Sequence, residues 1–461
     1  MKTGFILMNI IIVGCGKVGT TLVENLSKED NHISVIDLKS DEVNNCVNNY
    51  DVLGFIGNGS SNSVLMEAGI DKADLFIAVT GSDSINLLCC VIARKKGHCS
   101  TIARVRDSIY SSETKFIRQE LGITKTFNPE LASALEIARL LRFPNAIEID
   151  TFAKGLAEIL RFVVPDGSPL DNMPLYEINS KLGCKVLICA VERGDEAIIP
   201  NGSFIVQSGD KLSMLATEKE ATNFFKHINI TINHVKSVMI IGGGEIAYYL
   251  ARQLQSLNIK VVIIEKNPAR CDELCSLLDN DNIRVVNGDG SSFALLTEEG
   301  IDRMDAFVAL TDIDEENIIL SMSAHNKVRT KVVTKINRTD YNEVLRELPL
   351  DSIIIPKKIA AEYILRYVRA RQSSGNSNVE TLYKLLDNRV EALEFIIQEG
   401  SKICNIQIKD MALKKDMLIV GIHRNGKIII PSGADMILPG DSVIIVTSAA
   451  GMLRNIEDIR A

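Results

Sequence analysis

Two short glycine-rich stretches carry the chemistry-bearing residues of this chain. Gly14-Cys15-Gly16-Lys17-Val18-Gly19 follows an apolar run and opens an amphipathic one, the context in which G-x-G-x-x-G cradles a phosphate. Its first glycine permits a tight turn, its second lets backbone approach a pyrophosphate, and its third allows close helix–strand packing. The amides and dipole of the following helix attract the anion, each charge contact contributing about 0.3–1 kcal/mol. Gly242-Gly243-Gly244-Glu245-Ile246-Ala247 repeats the pattern with alanine in third place, where only a small side chain is required.

A carboxylate completes each loop. Asp37 lies 18 residues after Gly19 at the end of Val35-Ile36-Asp37, and Glu265 ends Ile263-Ile264-Glu265. An acid at that strand end accepts the hydroxyls of an adenosine ribose. A 2′-phosphate would meet like charge, which disfavours NADP, although Lys39 and Lys266 soften the argument. NAD, NADH, ATP and ADP share the same ribose, so the acids do not choose among them. Gly57-Asn58-Gly59-Ser60 and Gly288-Asp289-Gly290-Ser291 follow the third expected strand of each set and border the adenine position. Thr80 and Thr311 end the fourth strands, and Arg104 and Lys335 the fifth, all at the carboxyl edge where such sheets bind ligands. A cation there meets a phosphate or pairs with an acid. Asn58 against Asp289 makes the two sites chemically unequal.

The elements that must position these groups come as a duplication. Gly242 stands 228 residues after Gly14, and Glu265 stands 228 after Asp37. From Gly288 onward the offset becomes 231, as in Thr80 and Thr311, Asn86 and Asn317, and Pro200 and Pro431. The chain is therefore two copies of one unit of about 230 residues. The first part of each copy alternates strand and helix patterns. In copy one the expected strands are 9–13, 33–37, 52–56, 75–80, 100–105 and 123–127. Helices are expected over Val18–Leu26, Ser63–Glu67, Ser84–Lys96, Ser111–Leu121 and Leu131–Leu141. This alternation predicts an α/β fold, a Rossmann-like doubly wound parallel sheet in each copy.

The second parts are smaller and richer in short strands. Lys185–Val191, Ala197–Ile199 and Lys211–Leu215 precede an amphipathic Glu218–His227 in copy one. Leu418–Ile422, Ile428–Ile430 and Ser442–Val446 precede a terminal helical stretch in copy two. A helix over Ile359–Ala370 closes the alternating part of copy two, and polar Gln372–Asn378 reads as a flexible linker.

With 46% hydrophobic and 24% charged residues, the 461-residue chain is globular rather than disordered. Its net charge of −8 argues against broad binding to nucleic acid or anionic lipid. Ten cysteines include no C-x-x-C pair, which suits a reducing cytosol better than a disulfide framework. Cys271 and Cys275 could ligate a metal at i,i+4, but no histidine or second pair adjoins them, so burial is the favoured fate. No stretch approaches the roughly 20 apolar residues of a membrane span. Met8 is an alternative start that would make residues 1–7 an extension.

Signs of catalysis are missing from the sequence. None of the nine tyrosines begins a Tyr-x-x-x-Lys, none of the six histidines ends an expected strand, and H-E-x-x-H, G-x-S-x-G and P-loop motifs are absent. Nucleotide sensing is thus favoured over the enzyme alternative, a tandem NAD-dependent oxidoreductase. A redox sensor of transcription would need a helix-turn-helix or basic stretch, and none stands out.

Met8-Asn9-Ile10-Ile11-Ile12-Val13 with the first glycine loop, and Ala73-Asp74-Leu75-Phe76-Ile77-Ala78-Val79-Thr80 with Asp83 and Asn86, resemble the TrkA family, peripheral subunits of prokaryotic Trk potassium uptake. The resemblance covers essentially the whole chain and implies an RCK-type nucleotide domain and an RCK C-terminal domain, then the same pair again. The implied boundaries are 8–128, 145–228, 236–356 and 380–461. It further implies a non-enzymatic, cytosolic homo-oligomer (dimer or tetramer), docked on a TrkH/TrkG-type membrane potassium-translocating subunit and set by NAD or NADH, with ATP or ADP as other ligands. Carried over, the nucleotide contacts fall on Gly14, Cys15, Gly16, Lys17, Val18, Asp37, Asn58, Thr80 and Arg104. In copy two they fall on Gly242, Gly243, Gly244, Glu245, Ile246, Glu265, Asp289 and Thr311. No metal site and no catalytic residue is implied. Asn58 and Ala247 depart from the family pattern.

Overall fold

Uninterrupted apolar runs make strands that are buried on both faces, which suits a parallel sheet covered by helices. The computed structural model describes residues 7–28, 31–107, 114–144, 146–152, 157–229, 235–338, 345, 348–373, 379–386, 389–448, 453 and 455–460. Copy one begins β1 (Asn9–Val13), α1 (Lys17–Ser27), β2 (His32–Asp37), α2 (Ser40–Asn49), β3 (Leu53–Ile56), α3 (Asn62–Glu67), β4 (Leu75–Ala78) and α4 (Asp83–Gly97). It continues with β5 (Ser100–Arg104), α5 (Thr114–Leu121), β6 (Lys125–Phe127) and α6 (Pro129–Arg142). The second part of the copy is β7 (Glu148–Phe152), β8 (Ala157–Val163), α7 (Leu175–Leu182), β9 (Leu187–Arg193), β10 (Glu196–Ile198), β11 (Lys211–Ala216) and α8 (Glu218–His227).

Copy two repeats the plan with β12 (Ser237–Ile241), α9 (Glu245–Ser256), β13 (Lys260–Glu265), α10 (Pro268–Leu277), β14 (Ile283–Asn287), α11 (Phe293–Glu298), β15 (Ala306–Ala309) and α12 (Asp314–His325). Then come β16 (Lys331–Lys335), β17 (Ser352–Ile354), α13 (Pro356–Ser373), β18 (Val379–Leu385), β19 (Val390–Ile396), β20 (Met417–Arg424), β21 (Lys427–Ile429) and β22 (Ser442–Ser448).

The six-stranded sheets run β3-β2-β1-β4-β5-β6 and β14-β13-β12-β15-β16-β17. Their registered pairs are parallel. This is the doubly wound order whose reversal beside the first strand opens a crevice at the carboxyl ends. The five-stranded sheets, β10-β9-β11-β8-β7 and β18-β19-β22-β20-β21, are antiparallel.

Like folds against like. Residues 1–138 and 236–365 form one compact unit holding both parallel sheets, and residues 139–235 and 366–461 form a second holding both antiparallel sheets. In the first unit, Tyr249 of α9 donates its hydroxyl to the Arg106 carbonyl at 2.8 Å and accepts from Asn128 Nδ2 at 2.9 Å. Phe127 of β6 stacks on Tyr363 of α13, with ring centroids 6.0 Å apart. In the second unit one apolar core draws on both copies, including Phe152, Ile159 and Leu215 with Leu386, Val420 and Ile444. Arg389 crosses between the copies to Glu192 at 2.6 Å.

Several elements depart from the sequence reading. Helix α2 buries only Val43 and Cys46, so its polar sequence shows too little apolar periodicity. Strands β7, β8, β18 and β19 and helix α7 were not expected. In β8 the run of buried residues is interrupted by half-buried Arg161. The terminal helical stretch of copy two is, among the described residues, a 3-10 turn at Ile456–Ile459 capped by Asn455. Gln372 and Ser373 belong to the end of α13, not to a linker. The remainder of that expected linker, 374–378, lies outside the described residues, as do 111–113 of the helix expected over Ser111–Leu121. No described helix is long and apolar enough to cross a membrane.

A Cβ added at Gly19 would lie 1.8 Å from the Gly14 carbonyl oxygen, whereas copy two already carries buried Ala247 at that position. Gly19→Ala is therefore expected to cost about 1–3 kcal/mol through overpacking. Ala247→Gly should cost only about 0.5–1 kcal/mol, the helix-interior penalty of glycine. Denaturant unfolding of the two variants measures both, and equal losses would show that the two loops pack alike.

Candidate functional site

The glycine loops contain almost no side chain with which to hold their own shape. Gly14 adopts φ +101°, and a Cβ there would lie 2.9 Å from Thr80 N. Its N–H donates to Ile36 O at 2.8 Å. Gly16 begins α1 without a side-chain cap, and buried Val18, Leu22, Val23 and Leu26 anchor the helix. Gly242 (φ +96°), Gly244 and α9 repeat these features. The first-turn N–H groups of both helices thus lack a side-chain acceptor, the condition under which a helix start receives an anion.

The strand-end acids supply what the loops lack. Asp37 Oδ2 accepts from Cys15 N at 2.7 Å and Oδ1 from Lys39 N at 2.9 Å. Glu265 Oε2 accepts from Gly243 N at 2.7 Å and Oε1 from Asn267 N at 2.7 Å. Each carboxylate oxygen keeps a further lone pair, so bracing the loop and receiving ribose hydroxyls are compatible.

The third-strand turns are built alike on different side chains. Asn58 Oδ1 accepts from the backbone and hydroxyl of Ser60 at 2.9 and 2.8 Å. Asp289 does the same for Ser291 at 2.9 and 2.7 Å. Those bonds, the backbone one foremost, hold the Asp289 carboxyl below its ordinary range.

Thr80 and Thr311 are fixed by side chains that the sequence marks as repeat or family-pattern positions but not as site residues. Asn86, fully buried, accepts from Thr80 N (2.8 Å) and Oγ1 (2.7 Å) and donates to the carbonyls of Thr80 (3.3 Å) and Arg104 (3.0 Å). Asn317 makes the same four bonds with Thr311 and Lys335. Asp83 Oδ2 accepts from Arg106 N and Asp107 N, each at 2.8 Å. Asp314 does likewise for Asn337 and Arg338. Each pair keeps the 231-residue offset, and Asp83 and Asn86 also belong to the family-like motif that includes Thr80.

The fifth-strand cations pair with acids in this structure. Arg104 meets Glu130 at 2.8 Å and Lys335 meets Asp312 at 2.9 Å. The buried Arg104 Nε is left without a hydrogen-bond partner, a donor that a bound anion could use.

These groups surround one continuous crevice of about 1710 Å³, lined from both copies. Every expected site residue lines it except Cys15. That side chain is buried, and the residue serves the loop through its backbone, the amide donating to Asp37 Oδ2 and the carbonyl accepting from Thr20 Oγ1. Its thiol is pushed far up, first by a hydrogen bond with Cys46 and then by burial, while the same bond brings Cys46 down to about 7. In copy two the matching positions are Gly243 and Leu274, and a Cβ on Gly243 would sit 2.7 Å from Leu274 Cδ1. The space filled by two thiols in copy one is filled by a single leucine in copy two. No histidine, tyrosine or cysteine stands among the lining residues. No group of three or more potential metal ligands occurs among the described residues.

Fold and crevice together define the class: paired Rossmann-type sheets, each followed in the chain by a small antiparallel domain. The TrkA-N domain family matches residues 10–129 and 238–356, and the TrkA-C domain family matches 159–229 and 392–457. The Trk system potassium uptake protein TrkA homolog 1 of Methanosarcina mazei is 30% identical over 451 residues, covering 96% of this chain and 98% of that protein. The Trk system potassium uptake protein TrkA of Halomonas elongata is 30% identical over 98% of each chain. Two solved structures share the fold at a TM-score of 0.61. They are the GsuK channel bound to NAD (18% identity, 96% of this chain, 77% of that one) and the GsuK RCK domain (17%, 96% and 93%). The chain belongs to the TrkA family of Trk potassium uptake proteins.

Asn86→Ala and Asn317→Ala are each expected to destabilise the protein by at least about 1–3 kcal/mol, because buried backbone donors and acceptors lose their only side-chain partner. Thermal unfolding measures the loss, and an unchanged midpoint would show that water replaces the amide.

Proposed function

We propose that this chain is the nucleotide-sensing regulatory subunit of a Trk-type potassium uptake system. It would bind NAD or NADH, with ATP or ADP as competitors, at the two glycine loops. The carrying observation is the shared crevice: two braced loops, each with a strand-end acid, open into one space lined by both copies. A ligand on either loop therefore meets surfaces that the other copy also presents.

In this reading the loop amides and α1 or α9 receive the phosphates, Asp37 and Glu265 receive the ribose, and the Asn58 and Asp289 turns border the base. Arg104 Nε offers a further donor. In this reading bound NAD supplies contacts to the crevice rather than a reacting hydride. The GsuK channel bound to NAD supports the same ligand class on the same fold.

Regulation requires that nucleotide bind two arrangements of the paired sheets unequally, since equal affinity shifts nothing. Coupling free energies of about 1–3 kcal/mol are typical, and several loops in a homo-oligomer would add. The partner in this reading is a TrkH/TrkG-type membrane potassium-translocating subunit, engaged from the cytoplasmic face. The TrkA relatives, named as potassium uptake proteins, support that assignment.

Potassium flux through the reconstituted complex tests the proposal. Asp37→Ala combined with Glu265→Ala is expected to raise the nucleotide concentration for half-maximal response at least tenfold. An unchanged nucleotide response would overturn it. Substrate-dependent consumption of NADH by the isolated chain would favour the enzyme alternative.

A further inference from the structure

The alignment that places Gly14 on Gly242 also places Lys17 on Glu245 and Glu42 on Arg270. A cation at the start of α1 with an acid in α2 becomes an acid at the start of α9 with a cation in α10. All four side chains line the crevice. The duplication has kept the charge pair and reversed its direction.

The two pairs are held differently. Lys17 is exposed and makes no ion pair among the described residues. Arg270 is only 17% exposed and fully engaged. Its Nε donates to Gly243 O at 2.8 Å, Nη2 to Glu245 Oε1 at 3.0 Å, and Nη1 to Glu273 Oε2 at 2.6 Å. The guanidinium therefore ties the second glycine loop to two acids. Partial burial pushes the Glu245 carboxyl up, with Glu273 and Asp107 of copy one adding to it and Arg270 opposing. A nucleotide whose phosphates reach this loop meets a carboxylate where copy one offers an ammonium. Like charges a few ångströms apart in a partly desolvated crevice repel strongly.

This inference rests on the nucleotide reading of the crevice. The geometry points to Glu245 as the residue that makes the second loop select against highly charged nucleotides. The copy-one loop, with Lys17 unengaged, takes a nucleoside triphosphate, whose terminal phosphate is unsubstituted and multiply ionised. The copy-two loop takes a dinucleotide, whose two phosphates are both esterified and each singly charged. A triphosphate could bind there only by drawing Arg270 away from Glu245, and that would leave the acid facing the ligand.

Calorimetric titration of the full chain with ATP and, separately, NADH tests this, with thermal unfolding confirming that each variant is folded. The unmutated chain is expected to bind one ATP at least tenfold more tightly than a second, and to bind NADH at both loops. Glu245→Gln, which keeps the shape and removes the charge, should strengthen the weaker ATP event at least tenfold, and by a larger factor than it changes NADH affinity. Lys17→Glu should weaken the tighter ATP event by a similar factor, an independent check should the first variant fail to fold. Two equal ATP events in the unmutated chain would overturn the inference. So would a Glu245→Gln variant with unchanged ATP binding, which would leave Glu245 as an acid that merely favours a helix start. Both outcomes leave NADH binding, and hence the nucleotide reading, intact. Absence of any nucleotide binding would overturn that reading and this inference together.

Discussion

A carboxylate held against the backbone of a glycine loop is the constraint on which the rest of this structure depends. Gly14-Cys15-Gly16 and Gly242-Gly243-Gly244 have little side-chain packing of their own, and chain entropy opposes any single loop conformation. Asp37 and Glu265 counter it through charge-assisted bonds to Cys15 N and Gly243 N, both 2.7 Å, of a kind that contributes about 1.5–3 kcal/mol each. The acid is one methylene longer in copy two and reaches the equivalent amide at the same distance. The ribose contact proposed for each acid would therefore share its side chain with the bracing of the loop.

Beyond the loops, the fold solves a packing problem by pairing like with like. Each antiparallel sheet carries an apolar face too large to leave in water, and the core built from Phe152, Ile159, Val420 and Ile444 closes both at once. Burying apolar area is worth about 25 cal/mol per Å², so two half-cores that match in shape gain more together than each against solvent. The parallel sheets pair in their own unit, where Tyr249 and Tyr363 of copy two reach the Arg106 carbonyl and Phe127 ring of copy one. One crevice fed by two loops is the consequence.

The copies have diverged in compensated pairs. Cys15 with Cys46 answers to Gly243 with Leu274, conserving filled volume. Lys17 with Glu42 answers to Glu245 with Arg270, conserving net charge but not its placement. Tyr249, which joins the parallel-sheet halves, answers to Thr21, whose hydroxyl bonds locally to Lys17 O. Packing tolerates exchanges that preserve volume, so duplicated units can become chemically distinct while the strand order stays the same.

Much of this was written in local pattern. Apolar runs ended by Asp37, Thr80 and Arg104, and the offsets of 228 and 231, sufficed for the duplicated Rossmann-like sheets and for site candidates of which all but Cys15 line the crevice, because strand ends and glycine turns are short-range features. Elements with weak periodicity escaped: α2, with two buried apolar residues among asparagines, and β8, broken by Arg161. The bracing role of Asn86 and Asp83 was not visible, although both belong to the family pattern and Asn86 to the repeat, since their hydrogen bonds join segments far apart in the chain. That Arg104 meets Glu130, that Cys15 turns away from the crevice, and that the two copies share one cavity were decided by tertiary structure alone. Residue types and spacing determine which groups sit at a strand end. Which partner such a group faces depends on how distant surfaces pack, and no local sequence pattern encodes that.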